Sequence, residues 1–528
     1  MTIDSPMDTD VQSEDDEPVA RLREESTSEI IPQHLVDIND EVALVTNRDI
    51  SWWRMIAYGV GHFYNDLCAS MWFTYLMIYL QNVLNFSATL AGTLMLIGQV
   101  TDAICTPCIG IASDGSFIPY CLRRMGRRMS WHLIGVICVT VSFPFVFNNC
   151  LFCTTNTAEW LMFFWHVPFI VLFQFGWASV QVSHLALIPE LSQSNHCRSS
   201  MSSLRFGSTV VANLTVFGVL TVMLRSTDQG GGISPQDITH FSMASLVIVG
   251  VGVFVTIIFY VVIREPSTGR RLSRLNSEHS TASGPFRMSW MSWLRTAQFY
   301  QIALLYTMSR LFINVSQVYF PFYITITQGF SKKFVAIFPL VSYVSSFAIS
   351  TLLGVPVINK KLNQKAVYSV GCFAGFVTCA CMMFSLRLDA LFAVAALLGI
   401  AQSIILISSL SFTAELINEN TESGAFVYGA MSFMDKLTNG VFYQVIQVLS
   451  PQGCGGTVTP MKCGQFYKTV MTSVPGSCLF VALIIVIFLM TQRIGYRARR
   501  HRHVLQEEEN DGVIPGSDER TDGDEAIA

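Results

Sequence analysis

Charge is scarce in this chain. Asp, Glu, Lys and Arg make up 13% of its 528 residues, whereas a soluble globular protein carries about 25%. With 51% apolar and 12% aromatic residues, that deficit excludes a soluble domain and points to a protein that crosses the membrane repeatedly. An apolar stretch close to Met1 is lacking too. The expectation is therefore a chain without a cleavable signal peptide, whose insertion begins at its first span. Enzyme signatures are missing: there is no Gly-x-Ser-x-Gly, no Walker loop, no His-Glu-x-x-His and no zinc-spaced cysteine set. Without an ATP site, a transporter of this composition is expected to be a secondary one. Neither a cofactor, nor a metal, nor a nucleic-acid partner is called for. Cysteine is present, with 14 residues. Most lie in apolar runs, where a thiol behaves as a small hydrophobe, and this excludes a disulfide scaffold.

The charges that exist are unevenly placed. Residues 1–50 hold 14 acids against three arginines, and the stretch from Leu505 holds nine acids against Arg520. These acidic ends, 1–50 and 495–528, read as disordered tails. Between them, twelve apolar spans are expected near 54–80, 88–112, 130–149, 160–188, 203–224, 241–263, 298–327, 334–357, 366–386, 389–414, 424–449 and 472–493. Each is long enough to cross a hydrocarbon core of about 30 Å. Placing both ends in the cytosol puts about twenty Lys/Arg on that side. Arg225, Lys332, Lys333, Arg387, Lys462 and Lys468 then fall on the other. A basic, Ser-rich break at 264–297 divides the spans six and six. The domains expected are thus a bundle over 51–263, a cytosolic loop, and a bundle over 298–494. Gly110 and Asp114 followed by basic residues are echoed by Gly354, Asn359, Lys360, Lys361 and Lys365. The fold class expected is an all-α membrane protein of two pseudo-symmetric six-helix bundles.

A few polar residues interrupt the spans. An acid at the bilayer centre costs about 2.5–3.5 kcal/mol on insertion scales, so it usually has a job. In span one, His62 and Asp66 lie one helical turn apart, with Asn65 beside Asp66. In span two, Gln99, Asp102 and Thr106 share a face. Gln174, Gln181 and His184 lie in span four, Arg205 opens span five, and Arg310 is mid-span in seven. Lys436, Asn439 and Tyr443 share a face of span eleven, and the neighbouring Asp435 points elsewhere. Two readings stand. Asp66 and Asp102 bind a cation or a substrate ammonium, or they form structural ion pairs with Arg310 or Lys436. Arg205 holds a substrate carboxylate or snorkels to the interface. Gln181 is a site residue or an interhelical hydrogen bonder, and His184 reads as a packing histidine. Cys68 and Cys105, near the acids, read as packing.

The motif Gly110-x-x-x-Asp114, followed by Arg123-Arg124-Met125-Gly126-Arg127-Arg128 between two spans, resembles the major facilitator superfamily. Asn65-Asp66, Asp102-x-x-x-x-Pro107-x-x-Gly110 and Leu187-Ile188-Pro189-Glu190 are similar to its sugar–cation symporter branch. The resemblance implies that Asp66 matches a substrate-binding acid, Arg205 a substrate-contacting arginine, and Asp102 and Lys436 cation-site residues. Thr106 stands where that branch has a second acid, which disfavours a sodium site and suits a proton. Gln181 stands in place of a sugar-binding acid. Gly110, Asp114, Arg123, Arg124, Gly126, Arg127 and Arg128 would form a cytosolic gate, with Glu190 and Glu415 as partners. The bland alternative for these basic residues is topology alone. The strings GVGHFYNDLCASMWFTYLMIYL and FQFGWASVQVSHLALIPEL resemble an organellar subgroup. That resemblance implies alternating-access import of cysteine, or a closely related small amino acid, from the cytosol into lysosomes or melanosomes. The alternatives are a sugar or lysolipid symporter, or a non-transporting scaffold. The expected partners are a small-molecule substrate, a coupling proton and the lipid bilayer, with the chain working as a monomer.

On the non-cytosolic side, Cys454 and Cys463 could pair in an oxidising lumen, and Cys150 with Cys153 is a tighter option. Asn85-Phe86-Ser87 is a glycosylation sequon there. Asn213-Leu-Thr and Asn314-Val-Ser fall inside spans and are set aside as sequons.

Overall fold

The computed structural model describes residues 51–495, apart from 115–121, 123–124, 155–156, 193–194, 226–231, 266–289, 355–362, 418–423, 452–453 and 455–460. The tails, most of the central loop, Arg123 and Arg124 therefore lie outside the described residues. Among the described residues the secondary structure is helical throughout. In order come α1 (Trp52–Val60), α2 (Phe63–Ile78), α3 (Ala88–Asp114), α4 (Arg127–Val146), α5 (Glu159–Leu191), α6 (Asn195–Arg225) and α7 (Ile238–Val262). A short α8 (Trp290–Leu294) leads to α9 (Ala297–Phe322), α10 (Phe334–Gly354), α11 (Gln364–Met382), α12 (Leu388–Ile417), α13 (Gly424–Val448) and α14 (Met461–Met490).

The packing is turned inside out relative to a soluble protein. Ile111, Val141, Phe164, Phe254, Val261, Phe373 and Phe488 are exposed, while His62, Asn65, Asp102, His132, Gln174, His184, Asp435, Lys436 and Asn439 are buried. Apolar flanks of this extent fit a lipid surround. Among the described residues, nine helices are long and apolar enough to span by themselves. The other three spans, α1–α2, α9 and α13, carry polar groups inward as well.

Helix contacts repeat between the halves. α4 packs on α5 as α11 packs on α12, and α3 on α5 as α10 on α12. α2 meets α6 and α7 as α9 meets α13 and α14. Across the halves α3 packs on α13, α6 on α10 and α2 on α9. Each of the first spans of the two halves also ends in a five-residue π turn, Tyr79–Val83 and Tyr323–Thr327.

Three boundaries differ from the sequence reading. Span five, α6, starts at Asn195 rather than near 203, so Arg205 lies inside the helix instead of opening it. Span one is broken at Gly61–His62 into α1 and α2. A side chain at Gly61 would collide with Phe259 and His184, so glycine lets the break press against α5 and α7. The last span starts at Met461 rather than near 472. Its extra turns carry Lys462, Gln465 and Lys468, which masked it as loop, but Cys463 and Tyr467 in the same turns are buried. Cys454–Cys463 and Cys150–Cys153 are both bonded. Asn85 is exposed, with a positive φ of 56° that asparagine tolerates well.

Candidate transport site

Between the bundles lies a cavity of about 290 Å³. Asp66, Ser70, Thr209 and Asn213 line it from the first half, and Arg310, Asn314, Gln317, Tyr343 and Gln402 from the second. It reaches along α10 from Ser342 to Ser350, in the half of the molecule towards the basic loops.

Asp66 sits on the first turn of α2, just past the break in span one. Its Oδ1 lies 2.9 Å from His62 Nδ1, and its Oδ2 accepts a hydrogen bond from Thr209 Oγ1 at 2.7 Å. Asn65 Nδ2 lies 3.3 Å from His62 Nε2. The carboxylate is thus held by two elements while part of it still faces the cavity. On the other wall, Arg310 Nε donates to Asp435 Oδ2 at 3.0 Å, and Asn439 steadies the other oxygen of that acid at 2.6 Å. The Arg310 side chain keeps 27% exposure, that of its partner 6%. One edge of Arg310 is therefore occupied and the rest faces the cavity.

Asp102 is elsewhere. It is fully buried where α3 crosses α13, and Lys436 Nζ lies 2.6 Å from its Oδ1. Thr106 Oγ1 accepts from Lys436 at 2.7 Å and donates to Asp102. The three residues form one polar knot joining the bundles beside the cavity. Gln181 leaves its carbonyl oxygen unpartnered, and both polar atoms of Gln174 are likewise buried without a hydrogen bond. Arg205 stands behind Asp66 and acts electrostatically on His62, Tyr58 and His184. Its Nε is buried without a partner.

Of the expected gate residues, Arg127, Arg128 and Glu190 meet within the first bundle. Glu190 accepts from Arg127 Nη2 at 3.4 Å and Arg128 Nε at 3.3 Å, tying the end of α5 to the start of α4. Arg128 Nη1 also donates to Ser113 Oγ at 2.7 Å, beside Asp114 at the end of α3. Gly110 has open space around it. Glu415 is exposed near the end of α12. Glu265 was not foreseen. Its carboxylate receives the backbone N–H groups of Arg127, Arg128 and Met129, the free donors at the start of α4. Burial pushes the Glu265 carboxyl above its usual range, Glu190 adds to this, and the three backbone donors pull the other way. Gly126, at φ 98°, precedes the helix, and a side chain there would collide with Glu265.

The opposite, disulfide-bearing end is shut by contacts that sequence reading missed. Lys332 Nζ and Asp237 Oδ1 lie 2.6 Å apart, both buried, one from each half. Gln81 donates to Gln447 at 2.5 Å and accepts from Tyr467 at 3.0 Å, and Gln447 donates to Tyr319 at 3.1 Å. Asp435, Thr209, Asn213 and Asn314 were also missed. The last two looked like misplaced sequons, and their polarity inside spans was the signal.

Two six-span bundles around a central cavity, closed at one end, define a secondary transporter of the major facilitator type, which is not an enzyme. The model of the family described as MFS/sugar transport protein matches residues 57–494, and the chain belongs to that family. It is similar to major facilitator superfamily domain-containing protein 12 of Equus caballus, 41% identical over 85% of this chain and 96% of the relative. The Homo sapiens protein of the same name is 42% identical over 81% of this chain and 91% of its own length. Among solved structures, a D-xylose-proton symporter shares the fold, with a TM-score of 0.58 at 15% identity over 84% of this chain and 97% of that one.

Proposed function

We propose that this chain imports cysteine, or a closely related small amino acid, from the cytosol into the lumen of lysosomes or melanosome-like organelles by alternating access. The observation that carries this reading is the pairing of Asp66 and Arg310 on opposite walls of one cavity. A zwitterion needs both signs at once. The carboxylate of Asp66 suits its ammonium, and the free edge of Arg310 suits its carboxylate as a charge-assisted pair. The size agrees. At about 290 Å³ the cavity sits at the small end of the roughly 300–1,000 Å³ of ligand sites. Similarity to the horse and human proteins supports the subgroup from which cysteine and the organelle were read.

In this reading the loop-bearing end faces the cytosol and the disulfide end faces the lumen. The cavity then receives cargo from the cytosol while Lys332–Asp237 and the Gln81–Gln447 contacts keep the lumen shut. Release requires those contacts to part and the rims around Arg127, Arg128 and Glu190 to close. The Asp102–Lys436–Thr106 knot lies on the interface that must shift. Asn213, Gln317 and Gln402 on the cavity wall would also bond a sugar, so the test includes one.

The test is uptake into vesicles carrying the full chain. Labelled cysteine should accumulate and labelled xylose should not. Asp66→Asn or Arg310→Gln should each cut cysteine uptake roughly tenfold or more, the scale of one lost charged hydrogen bond. Uptake that survives both substitutions would remove this site from consideration.

A further inference from the structure

The first bundle holds a cluster that cargo binding alone does not use. Three histidines from three helices meet behind Asp66. The His62 and His184 rings are 5.6 Å apart, and the His184 and His132 rings 6.0 Å. Two of them are anchored to the backbone of span one. His184 Nε2 lies 2.9 Å from the Tyr58 carbonyl oxygen, and His132 Nε2 lies 3.3 Å from that of Gly61. His132 Nδ1 is also 2.6 Å from the Tyr260 hydroxyl. His62 differs from both. One ring nitrogen lies against a carboxylate that faces the cavity, 2.9 Å away.

Charge around His62 is sparse. From α1 comes Tyr58, from α4 His132, from α5 His184, from α6 Arg205, and from α7 the apolar Phe259 with Tyr260 behind His132. Its own helix supplies Asp66. Among the described residues, then, the charges that act on His62 are one carboxylate, Asp66, and one permanent cation, Arg205. A cargo ammonium on Asp66 adds a second positive charge, and a proton on His62 adds a third. Buried charges of one sign repel strongly because little water screens them. The carboxylate can balance the ammonium or the imidazolium, not both.

We propose that His62 is a proton-binding site whose proton competes with the cargo ammonium for Asp66, so that transport is an exchange of one amino acid for one proton. This rests on the reading that Asp66 takes the cargo's ammonium. Cargo arriving from the cytosol displaces the proton from His62 into the cytosol-facing cavity. After cargo leaves on the luminal side, His62 takes a proton from the lumen and pairs with Asp66 again. The empty carrier returns carrying that proton. An acidic lumen then drives import, whereas symport with a proton would oppose it. Asp102 needs no part in this cycle, because Lys436 already neutralises it.

The experiment uses the full chain in proteoliposomes with an acidic interior and a pH dye outside. Labelled cysteine entering should acidify the outside, and a protonophore that collapses the gradient should abolish accumulation. External alkalinisation, or uptake without any proton signal, overturns the proposal. In His62→Gln, and in His62→Asn as a second variant, the ratio of pH-driven uptake to cysteine–cysteine exchange should fall roughly tenfold or more. An unchanged ratio also overturns it. If a variant does not fold, the direction of proton flow in the wild type still decides. Should the wild type exchange no cysteine, the cargo reading fails and takes this proposal with it. Exchange of cysteine with the wrong proton sign sinks the proposal alone.

Discussion

Lys436 Nζ lies 2.6 Å from Asp102 Oδ1, and the two residues belong to opposite bundles. A carboxylate that would be costly alone in a span is thus neutralised by a cation from the other half. Removing one partner strands the other. Lys436→Met and Asp102→Asn should each lower stability, the first by about 3–5 kcal/mol because it leaves a buried charge. The double variant should recover much of the loss. Thermal unfolding of the purified chain checks this, and purely additive effects would show that the pair is not coupled.

The Lys332–Asp237 pair sits at the closed end. Lys332→Met should make that end open more readily. A cysteine placed by Ser70→Cys, on the cavity wall behind the lock, should then react several-fold faster with a membrane-impermeant thiol reagent supplied from the disulfide-bearing side, roughly in proportion to the shifted population. An unaltered labelling rate would mean that the lock lies elsewhere.

Gly399 on α12 faces the backbone carbonyl of Ser342 on α10, with no room for a side chain. Ser342 Oγ also bonds Ala395 O at 2.6 Å, so the two helices touch along this seam beside the cavity. Gly399→Ala should wedge them apart at a cost of about 1–3 kcal/mol. The midpoint of thermal unfolding should drop, and uptake should fall with it because Ser342 and Ser346 line the cavity.

The raised Glu265 carboxyl gives a pH dependence of definite sign. A folded value above the unfolded one means that the folded state binds the proton more tightly. Stability therefore falls as pH rises from the ordinary carboxyl value, about 4.3, through the raised value. Glu265→Gln should flatten that portion of the curve, which unfolding of the detergent-solubilised chain across this pH range would record. A curve of unchanged slope would show that burial of this group has no net effect.

The Cys454–Cys463 bridge closes a loop with a sequence separation of nine. Cys463→Ser should cost about 2–3 kcal/mol on the chain-entropy estimate. Reduction should lower the wild-type midpoint by more than Cys463→Ser does, because it also opens Cys150–Cys153, and in the variant it should produce only the shift of that second bridge.

Much of the fold was legible because a membrane imposes coarse rules. Span count, the division at the central loop and the basic asymmetry all follow from hydropathy and charge, which the bilayer reads segment by segment. The break at Gly61–His62 was less visible, since the helical pattern continues across it. The start of α14 was obscured by its two lysines. For the site, residue types were legible and partners were not. Polar positions inside spans stand out because burying them unpaired is expensive. Which acid meets which cation depends on helix rotation, and the neighbour of Lys436 shows this. Asp435 points away from Lys436 along α13 and for that reason reaches Arg310.

By itself, then, the sequence determined that this is a twelve-span carrier and that Asp66, Asp102, Arg310 and Lys436 lie where charge must be compensated. Tertiary structure alone decided the pairings. Packing of α3 on α13 buries Asp102 in a cross-bundle pair. The break in span one leaves Asp66 on the cavity wall, opposite Arg310, with His62 behind it. A segment's transfer from water to lipid is a property of its own residues, whereas charge pairing at close range depends on how separate helices are turned against one another.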